Sequence, residues 1–322
     1  EILIGLVGSE MCIRDSAVLP ALAQERGGKA VKQRRKAHNY ASVDSILSNF
    51  AGRPVKYFLI VASVISVLFP VYWLVISAFK LEQDYLADPP ILFPTRFTLD
   101  SFIEVLTRDN VLQYFSNTLV VAVCTTIITI VIGSMAAYAV VRGPIGARAK
   151  NVFGLWFLVQ KMYPAIATAI PIYLVMRSLH LMDTLLALII MNTSFNLPLV
   201  IWLMMGFFEQ VPFDMEESAM LDGCGFFGRF FRVVLPVTKP GLIASAILTF
   251  VAAWNEFLFA VILTINESKT LPVVIAGFIT DRGLDWGPMA ATSLITLLPV
   301  VVLVWIIQKD FVNGLAAGAV KG

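Results

Sequence analysis

Six long apolar runs constrain the fold of this chain more than any other feature. They cover residues 57–79, 117–141, 152–176, 184–208, 242–264 and 288–308. Each run is long enough to cross about 30 Å of hydrocarbon as a helix that rises roughly 1.5 Å per residue. Because backbone polar groups in lipid need internal partners, all six are predicted to be helices. The sequence therefore predicts an all-α, polytopic membrane protein with six transmembrane helices.

The composition agrees with a membrane protein and excludes several other classes. The chain is 58% hydrophobic and 14% charged, whereas soluble domains carry about 25% charged residues. Its cysteines, Cys12, Cys124 and Cys224, are too far apart for a metal site or a disulfide framework, and two histidines exclude a His-rich cluster. The sequence also lacks the phosphate-loop pattern G-x-x-x-x-G-K-[ST]. We therefore expect no metal, no catalytic residue and no cofactor bound by this chain itself.

The positions of Lys and Arg predict the orientation of the chain. With the N-terminus in the cytoplasm, sixteen of the 24 Lys and Arg residues would lie on the cytoplasmic side and six outside. The positive-inside rule therefore predicts that both termini are cytoplasmic. The same orientation places the stretch 80–116 outside, where Asp100 is predicted to begin a short helix. It places the polar segment between the fourth and fifth spans inside.

Three regions follow from the spans. Residues 1–56 are predicted to be a basic cytoplasmic tail, residues 57–308 the transmembrane domain, and residues 309–322 a cytoplasmic C-terminal tail. Residues 1–16 have no initiator Met and lack the charged-then-apolar order of a signal peptide. They resemble translated read-through of a sequencing adapter, and an ordinary disordered tail explains them equally well.

The polar segment after the fourth span predicts a short helix. Pro212 suits a first helical position, where its missing N–H costs nothing. Asp214, Glu216 and Glu217 place negative charge near the positive end of that helix. Gly223 is expected to end it, because glycine readily adopts the left-handed conformation. Taken alone, the pattern describes an interfacial helix that packs against its own bundle.

The same segment resembles a known motif. The residues concerned are Glu217, Ser218, Ala219, Asp222, Gly223, Leu235 and Pro236, which resemble the E-A-A-x-x-D-G loop and the following L-P pair of ABC-importer permeases. A second short helix, 226–232, is predicted between the E-A-A-x-x-D-G loop and the L-P pair. Ser218 and Cys224 depart from the pattern, but both replace Ala by another small residue. Residues 254–257 and 313–322 also resemble carbohydrate-importer permeases of the maltose type, so the resemblance covers roughly 57–322.

The resemblance implies a fold and a function. The fold would be that of a type I ABC-importer permease, in which the short helix is a cytoplasmic coupling helix. The chain would be the permease subunit of an ATP-driven importer in a bacterial or archaeal plasma membrane. It would take up a carbohydrate, meaning an oligosaccharide or related polyol, by alternating access. Glu217 would contact the ATPase, Gly223 would shape the turn, and the C-terminal tail would reach back towards the ATPases.

The resemblance also implies partners. They are a second, non-identical permease subunit, two ATP-binding cassette subunits that bind the ATP, an extracytoplasmic solute-binding protein and membrane lipid, with no nucleic acid. A secondary carrier or channel for a small polar solute is the alternative. The two halves of the sequence show no repeat, and the intramembrane charges are few for an ion relay, so the carrier is the second choice.

Polar residues inside the spans are candidates for the substrate path. Lys161 and Glu256 lie far from the ends of the third and fifth spans, where a charge costs about 3 kcal/mol. They either pair with each other across the bundle or line a wet path, and both roles are compatible. Asn192 and Asn196 share one helical face and either hold helices together or bind a polyol. Trp254 and Asn255 have the chemistry of sugar recognition and are tentative members of the same path.

Overall fold

A computed structural model of the chain describes residues 53–319 except 108–109 and 282, with side chains described from residue 55 to residue 306. Residues 1–16, most of the predicted N-terminal tail and the side chains of the predicted C-terminal tail lie outside this part. The chain divides into two compact units, Glu1–Tyr72 and Trp73–Gly322. Each unit is considered by itself.

The described part of the first unit consists of one helix. Helix α1 (Arg53–Ala78) begins in this unit and has Pro70 within it. Its side chains from residue 55 to residue 71 are exposed, and they include the apolar Phe58, Ile65 and Val67. A helix that is apolar on all sides is typical of a membrane span.

The second unit is almost entirely helical. Its main helices are α2 (Asp100–Thr107), α3 (Val111–Arg142), α4 (Ala147–Met162), α5 (Ala169–Ser178), α6 (Leu185–Glu209), α7 (Phe213–Leu221), α8 (Phe226–Arg229), α9 (Leu235–Val237), α10 (Lys239–Trp254), α11 (Leu258–Leu263), α12 (Leu271–Gly277) and α13 (Trp286–Ala319). Strands β1 (Ile279–Thr280) and β2 (Gly283–Leu284) have two residues each and pair in antiparallel orientation. The prediction that Asp100 begins a short helix is confirmed by α2.

The predicted spans correspond to long apolar helices or to pairs of helices that meet at a sharp bend. Among the described residues, four helical segments are long and apolar enough to cross a membrane: Val55–Ala78, Val111–Arg142, Leu185–Glu209 and Trp286–Ile306. The number rises to six when each of two sharply bent helix pairs is counted as one span: α4 with α5, and the segment 226–237 with α10, which meet at 80°. The last helix continues to Ala319, beyond the predicted end of the sixth span.

The third span is broken rather than continuous. Helices α4 and α5 meet at an angle of 85°. Tyr163 and Pro164 separate them with extended backbones, and a turn of 3₁₀ helix (Ala165–Thr168) follows. The residue before a proline avoids the helical conformation, and proline itself has no N–H to continue the helix. A single helix over 152–176 was therefore a wrong prediction.

The fifth span is also interrupted. Helix α10 ends at Trp254 and α11 begins at Leu258, so residues 255–257 separate the two helices. The carboxylate of Glu256 accepts hydrogen bonds from the backbone N–H groups of Phe259 (2.7 Å) and Ala260 (3.1 Å). These are N–H groups of the first turn of α11, which have no partner within the helix. Glu256 thus stabilises a new helix start where one helix over 242–264 was predicted.

Close packing of α3 against α6 and α10 forms the centre of the second unit. Gly133 of α3 lies so near α6 that an added Cβ would be 2.7 Å from Cγ1 of Val200. Small residues commonly allow such close approach between membrane helices. Among the described residues, one buried cluster lies at the end of α3 and α6 that leads to α7. Its members include Tyr138, Val141, Met204, Phe208, Phe230 and Val234.

Candidate functional site

The short helix predicted after the fourth span exists as α7. Pro212 was predicted to be the first helical residue, but its backbone is extended (φ −57°, ψ 132°) and the helix begins one position later, at Phe213. Asp214 and Glu216 lie in the first turn, as expected for the positive end of a helix. Gly223 has φ +82°, and the N–H of Cys224 donates to the Ala219 carbonyl at 2.9 Å. The prediction that Gly223 ends this helix is therefore confirmed.

One side of α7 faces outward. This outer face of α7 consists of Asp214, Glu217, Ser218 and Leu221, all exposed. Leu221 is 90% exposed even though its side chain is apolar. On the opposite side Ala219 is buried. Carboxylates beside an uncovered leucine form the kind of mixed surface that binds another protein.

The inner side of α7 carries a buried charge. The Glu216 side chain is 0% exposed, and its carboxylate accepts hydrogen bonds from the Tyr138 hydroxyl (2.7 Å) and from Nε of Arg142 (2.6 Å). Nη1 of Arg229 lies 3.9 Å from the same carboxylate. A buried carboxylate is tolerated when it is paired and hydrogen-bonded in this way. Glu216 and Glu217, adjacent in the chain, therefore have opposite environments.

The segment after Gly223 leads back into the bundle. Helix α8 is followed by one π-helical stretch (Phe230–Val234) and by α9, where a single helix over 226–232 was predicted. Phe230 is buried and its ring centroid lies 5.0 Å from that of Tyr138. Leu235 packs against the same buried cluster, whereas Pro236 is exposed in the first turn of α9. The L-P pair thus connects the segment to the core on one side.

Lys161 and Glu256 do not form the hypothesised pair. Nζ of Lys161 donates to the Phe195 carbonyl (3.3 Å) and to Oδ1 of Asn196 (3.4 Å), while Glu256 caps α11. Among the described residues, no ion pair joins them. The physical reason is that both spans break next to these residues. The freed N–H groups of α11 bind the carboxylate, and Lys161 is exposed beside the end of α4.

The other polar candidates lie along α6 and α10. Asn192 and Asn196 are buried and each side chain donates to the carbonyl one turn earlier, at 3.0 Å and 2.9 Å. Trp254 is 0% exposed, stacks on Phe250 and donates from Nε1 to the Thr296 carbonyl at 3.2 Å. The Trp254 ring therefore packs the bundle. The neighbouring Asn255 is exposed.

Sequence reasoning missed the residues that hold α7. Tyr138 and Arg142 are four residues apart at the end of α3, a spacing that puts both on one helical face. That spacing was the available signal, because an aromatic hydroxyl and a guanidinium on one face can share a carboxylate. The motif singled out Glu217, and nothing in the sequence indicated that its neighbour Glu216 is the buried carboxylate.

A second missed residue, Asp183, joins two loops. Its carboxylate accepts hydrogen bonds from the backbone N–H groups of residues 265–268 at 3.0–3.1 Å and from the Ser268 hydroxyl at 2.8 Å. Its own N–H donates to the Leu263 carbonyl at 2.8 Å. Burial raises the pKa of the Asp183 carboxyl, but the four N–H donors outweigh it and hold this pKa well below its usual value. Within the described residues, no three His, Cys, Asp or Glu side chains cluster as a metal site would require.

Comparison with known proteins identifies the family. The family described as "Binding-protein-dependent transport system inner membrane component" matches residues 129–309, which contain α7, its anchoring residue Arg142 and the polar candidates. This chain belongs to that family. Binding-protein-dependent permeases of this kind are multi-pass membrane proteins, and the chain is a transport permease.

Curated relatives extend the match beyond the family segment. The diacetylchitobiose uptake system permease protein DasC of Streptomyces coelicolor is 36% identical over 80% of this chain and 93% of its own length. The sulfoquinovosyl glycerol transport system permease protein SmoH of Agrobacterium fabrum is 34% identical over 88% and 99%. The trehalose/maltose transport system permease protein MalG of Thermococcus litoralis is 34% identical over 79% and 92%.

A solved structure has the same fold. A chain of the bacterial ABC transporter involved in the import of the acidic polysaccharide alginate aligns with a TM-score of 0.67 and 23% identity. The alignment covers 81% of this chain and 99% of the other. The predicted type I ABC-importer permease fold is therefore confirmed. The comparisons support the importer permease and not the alternative of a secondary carrier or channel.

Proposed function

We propose that this permease carries a carbohydrate, an oligosaccharide or a related polyol, across the plasma membrane of a bacterium or archaeon. The curated relatives named above are described as permeases for diacetylchitobiose, sulfoquinovosyl glycerol and trehalose or maltose. All of these contain sugar units, although they differ in size and charge. The shared property supports a carbohydrate as substrate class without selecting one sugar.

The outer face of α7 is the observation that carries the proposed mechanism. Leu221 is accompanied by Phe213, Met215 and Met220, so this nine-residue helix exposes four large apolar side chains. Exposed apolar surface concentrated in this way is expected to be covered by a partner. In this proposal the partner is a separate ATP-binding cassette protein, and Glu217 contacts it. ATP is bound and hydrolysed there, so this chain needs no cofactor of its own. Movement of α7 would open the helical bundle to one side of the membrane and then to the other.

The remaining partners and the orientation belong to the same proposal. A second, non-identical permease subunit would complete the path, a second ATP-binding cassette subunit would bind to it, and an extracytoplasmic solute-binding protein would deliver the sugar. Both termini would be cytoplasmic, which puts α7 on the side where ATP is available. The distribution of Lys and Arg supports this orientation.

The substrate path is proposed to pass the breaks in the third and fifth spans. Lys161, Asn255 and Glu256 lie at these breaks, and the first two are exposed. Asn192 and Asn196 lie on α6, with Asn196 bound to Lys161. Irregular backbone at membrane depth is tolerated where it lines a cavity. Trp254 would act here through packing, because its ring is fully buried.

Reconstitution tests the transport function directly. The chain is co-expressed with a candidate second permease, ATPase and solute-binding protein, and uptake into proteoliposomes is measured over a panel of sugars. ATP-dependent uptake of at least one sugar, only when the binding protein is present, is the expected result. Uptake driven by an ion gradient without any ATPase would contradict the proposal and support a secondary carrier.

Charge reversal tests the docking role of the outer face. Glu217→Arg is expected to reduce co-purification of the ATPase and to abolish uptake. Glu209→Arg is the matched control, since Glu209 is also acidic and exposed but lies at the end of α6. If Glu217→Arg left both the association and the uptake at the level of this control, the outer face would not be the docking surface.

A further inference from the structure

Two side chains, Glu216 and Arg142, connect α7 to the two long helices at the centre of the bundle. Arg142 is the last residue of α3. Its Nε donates to Glu216 in the first turn of α7, at 2.6 Å. Its Nη2 donates to the carbonyls of Phe208 (3.1 Å) and Val211 (2.7 Å), at and just after the end of α6. A single guanidinium therefore binds the ends of three helices.

Each of these contacts uses a backbone or charge feature of a helix end. The last carbonyls of a helix have no partner within it, and a cation suits that end. The first turn of a helix favours a carboxylate, which is what Glu216 supplies. The planar guanidinium holds its donors in a fixed geometry, so it fixes directions as well as distances. Lysine at position 142 would keep the charge and lose this geometry.

Aromatic rings close the site around the ion pair. The Tyr138 hydroxyl is the second donor to Glu216, and its ring lies 4.7 Å from Phe226 and 5.9 Å from Phe208, measured between centroids. Tyr138 and Phe208 are fully buried. The Glu216 carboxylate is therefore shielded from solvent, whereas the Arg142 side chain remains 14% exposed.

The burial of a charge here calls for an explanation other than stability. Replacing a buried ion pair by apolar residues of similar volume is often neutral or stabilising, whereas a charged pair fixes relative orientation. The pair at Glu216 joins an element whose outer face contacts a partner to elements that line the bundle. Orientation between these elements is what a moving helix has to transmit.

We propose that Glu216 and Arg142 are positioning residues that make α7 and the adjoining ends of α3 and α6 move as one body. A displacement of α7 by its partner then passes to both central helices through hydrogen bonds, not only through the chain connection at residues 210–212. The proposal rests on the proposed function, because it assigns the path of motion within the same coupling site. Glu217 binds the partner, and Glu216 transmits its movement.

Three variants separate this role from simple stability. Glu216→Gln keeps the shape of the side chain and removes its charge. Arg142→Lys keeps the positive charge and removes the planar arrangement of N–H donors. The double variant Arg142→Met and Glu216→Leu replaces the pair by apolar side chains and is expected to fold and assemble. Glu209→Gln is the control for a change of one exposed carboxylate. All are measured in the full transporter with its ATPase, reconstituted with the solute-binding protein.

The readout is the amount of sugar transported per ATP hydrolysed, together with co-purification of the ATPase. We expect the double variant to bind the ATPase normally, to hydrolyse ATP, and to transport about tenfold less sugar per ATP, a typical size for coupling between sites. Glu216→Gln and Arg142→Lys should show smaller losses in the same direction. The control should keep the ratio of the unchanged transporter.

A distance measurement tests the motion itself. Spin labels at Met215 of α7 and Met135 of α3, both exposed, are placed on a cysteine-free background. Their separation should stay the same with and without ATP in the parent protein and should shift or broaden in the double variant. A transport ratio and a label separation that are both unaffected by the double variant would overturn the linkage. If instead Glu217→Arg left ATPase binding intact, the docking role would be the part that failed.

Discussion

At the scale of single residues, Asp183 shows how much one carboxylate can organise. It joins the loop before α6 to residues 265–268 through four backbone donors, and it does so with a positive φ of 55° at its own position. Asp and Asn tolerate this conformation better than most residues. A carboxylate accepts more strongly than an amide, so the charge itself contributes to the stability of this contact.

Replacing Asp183 should weaken this loop contact in a pH-dependent way. Asp183→Asn is expected to cost about 2 kcal/mol near neutral pH, since it removes hydrogen bonds to a charged group. Because the folded-state pKa is lowered, the contribution of the charge is fully present above the usual Asp pKa of 3.8 and decreases progressively as the pH falls from there towards the lowered folded-state pKa. Thermal unfolding of the parent and the variant, compared from about pH 7 to about pH 3, measures this.

The difference in melting temperature between the two proteins should shrink as the pH falls. The exposed Asp281 offers a control, and Asp281→Asn should have little effect at any pH. A constant difference between the Asp183 variant and the parent over the whole range would show that the charge does not contribute.

Lys161 is the residue for which a transport effect is expected without a large stability effect. Its side chain is exposed, and its hydrogen bonds to Phe195 and Asn196 are long. Lys161→Met should therefore leave the melting temperature within a few degrees, as for most exposed positions, and lower sugar uptake. Arg177→Met, which removes an exposed cation at the end of α5, is the control. Unchanged uptake in the Lys161 variant would remove this residue from the substrate path.

The residue scale is also where prediction from the sequence was weakest. Glu217 was predicted by its motif, yet Glu216 makes the buried contacts. Helical periodicity places these neighbours about 100° apart, and which of them faces the bundle depends on how α7 docks. The Lys161–Glu256 hypothesis failed for a related reason. It assumed continuous helices, whereas helix breaks supplied nearer backbone partners for both charges.

At the scale of elements, the end of α7 gives a clear test of backbone geometry. Gly223 has φ +82°, and an added Cβ would meet no described atom within 4 Å. Gly223→Ala should therefore cost only the left-handed penalty, roughly 1–2 kcal/mol. Gly225→Ala is the control, because Gly225 has an ordinary φ of −70° and equally open surroundings. Thermal unfolding and ATPase co-purification measure the two effects.

Gly223→Asn should lie between the parent and the alanine variant, because asparagine tolerates the left-handed region. Equal stability of the Gly223 and Gly225 alanine variants would mean that the turn adjusts without strain.

The position of α7 in the sequence was predictable, since its ends depend on a proline, first-turn carboxylates and a glycine. The 85° bend between α4 and α5 was not predicted, because many proline-containing helices only kink.

At the scale of the whole molecule, the contact of α3 with α6 tests how the second unit is held together. A Cβ at position 133 would lie 2.7 Å from Cγ1 of the buried Val200. Gly133→Ala is expected to cost about 1–3 kcal/mol through overpacking. Removing the opposing atom with Val200→Ala in the same chain should recover part of that loss. Chemical or thermal unfolding of the two single variants and the double variant measures the coupling.

Gly206→Ala is the control for glycine within a membrane helix, because no described atom lies within 4 Å of its added Cβ. Additive effects of the Gly133 and Val200 changes would contradict a direct contact between these positions.

Six spans and the family fold were predictable from hydropathy and the motif around Glu217. The pairing of α3 with α6 was not, because all apolar helices look alike in hydropathy and their contacts depend on shape.

The uncovered Leu221 has a consequence for how such a protein is made. A copy that is synthesised without its partner subunits exposes the apolar side chain of Leu221, which favours aggregation and proteolysis. In the proposed transporter, the ATPase would cover Leu221 once the subunits assemble. Orphan copies should therefore be short-lived in a pulse–chase measurement, and supplying the missing ATPase should lengthen their lifetime.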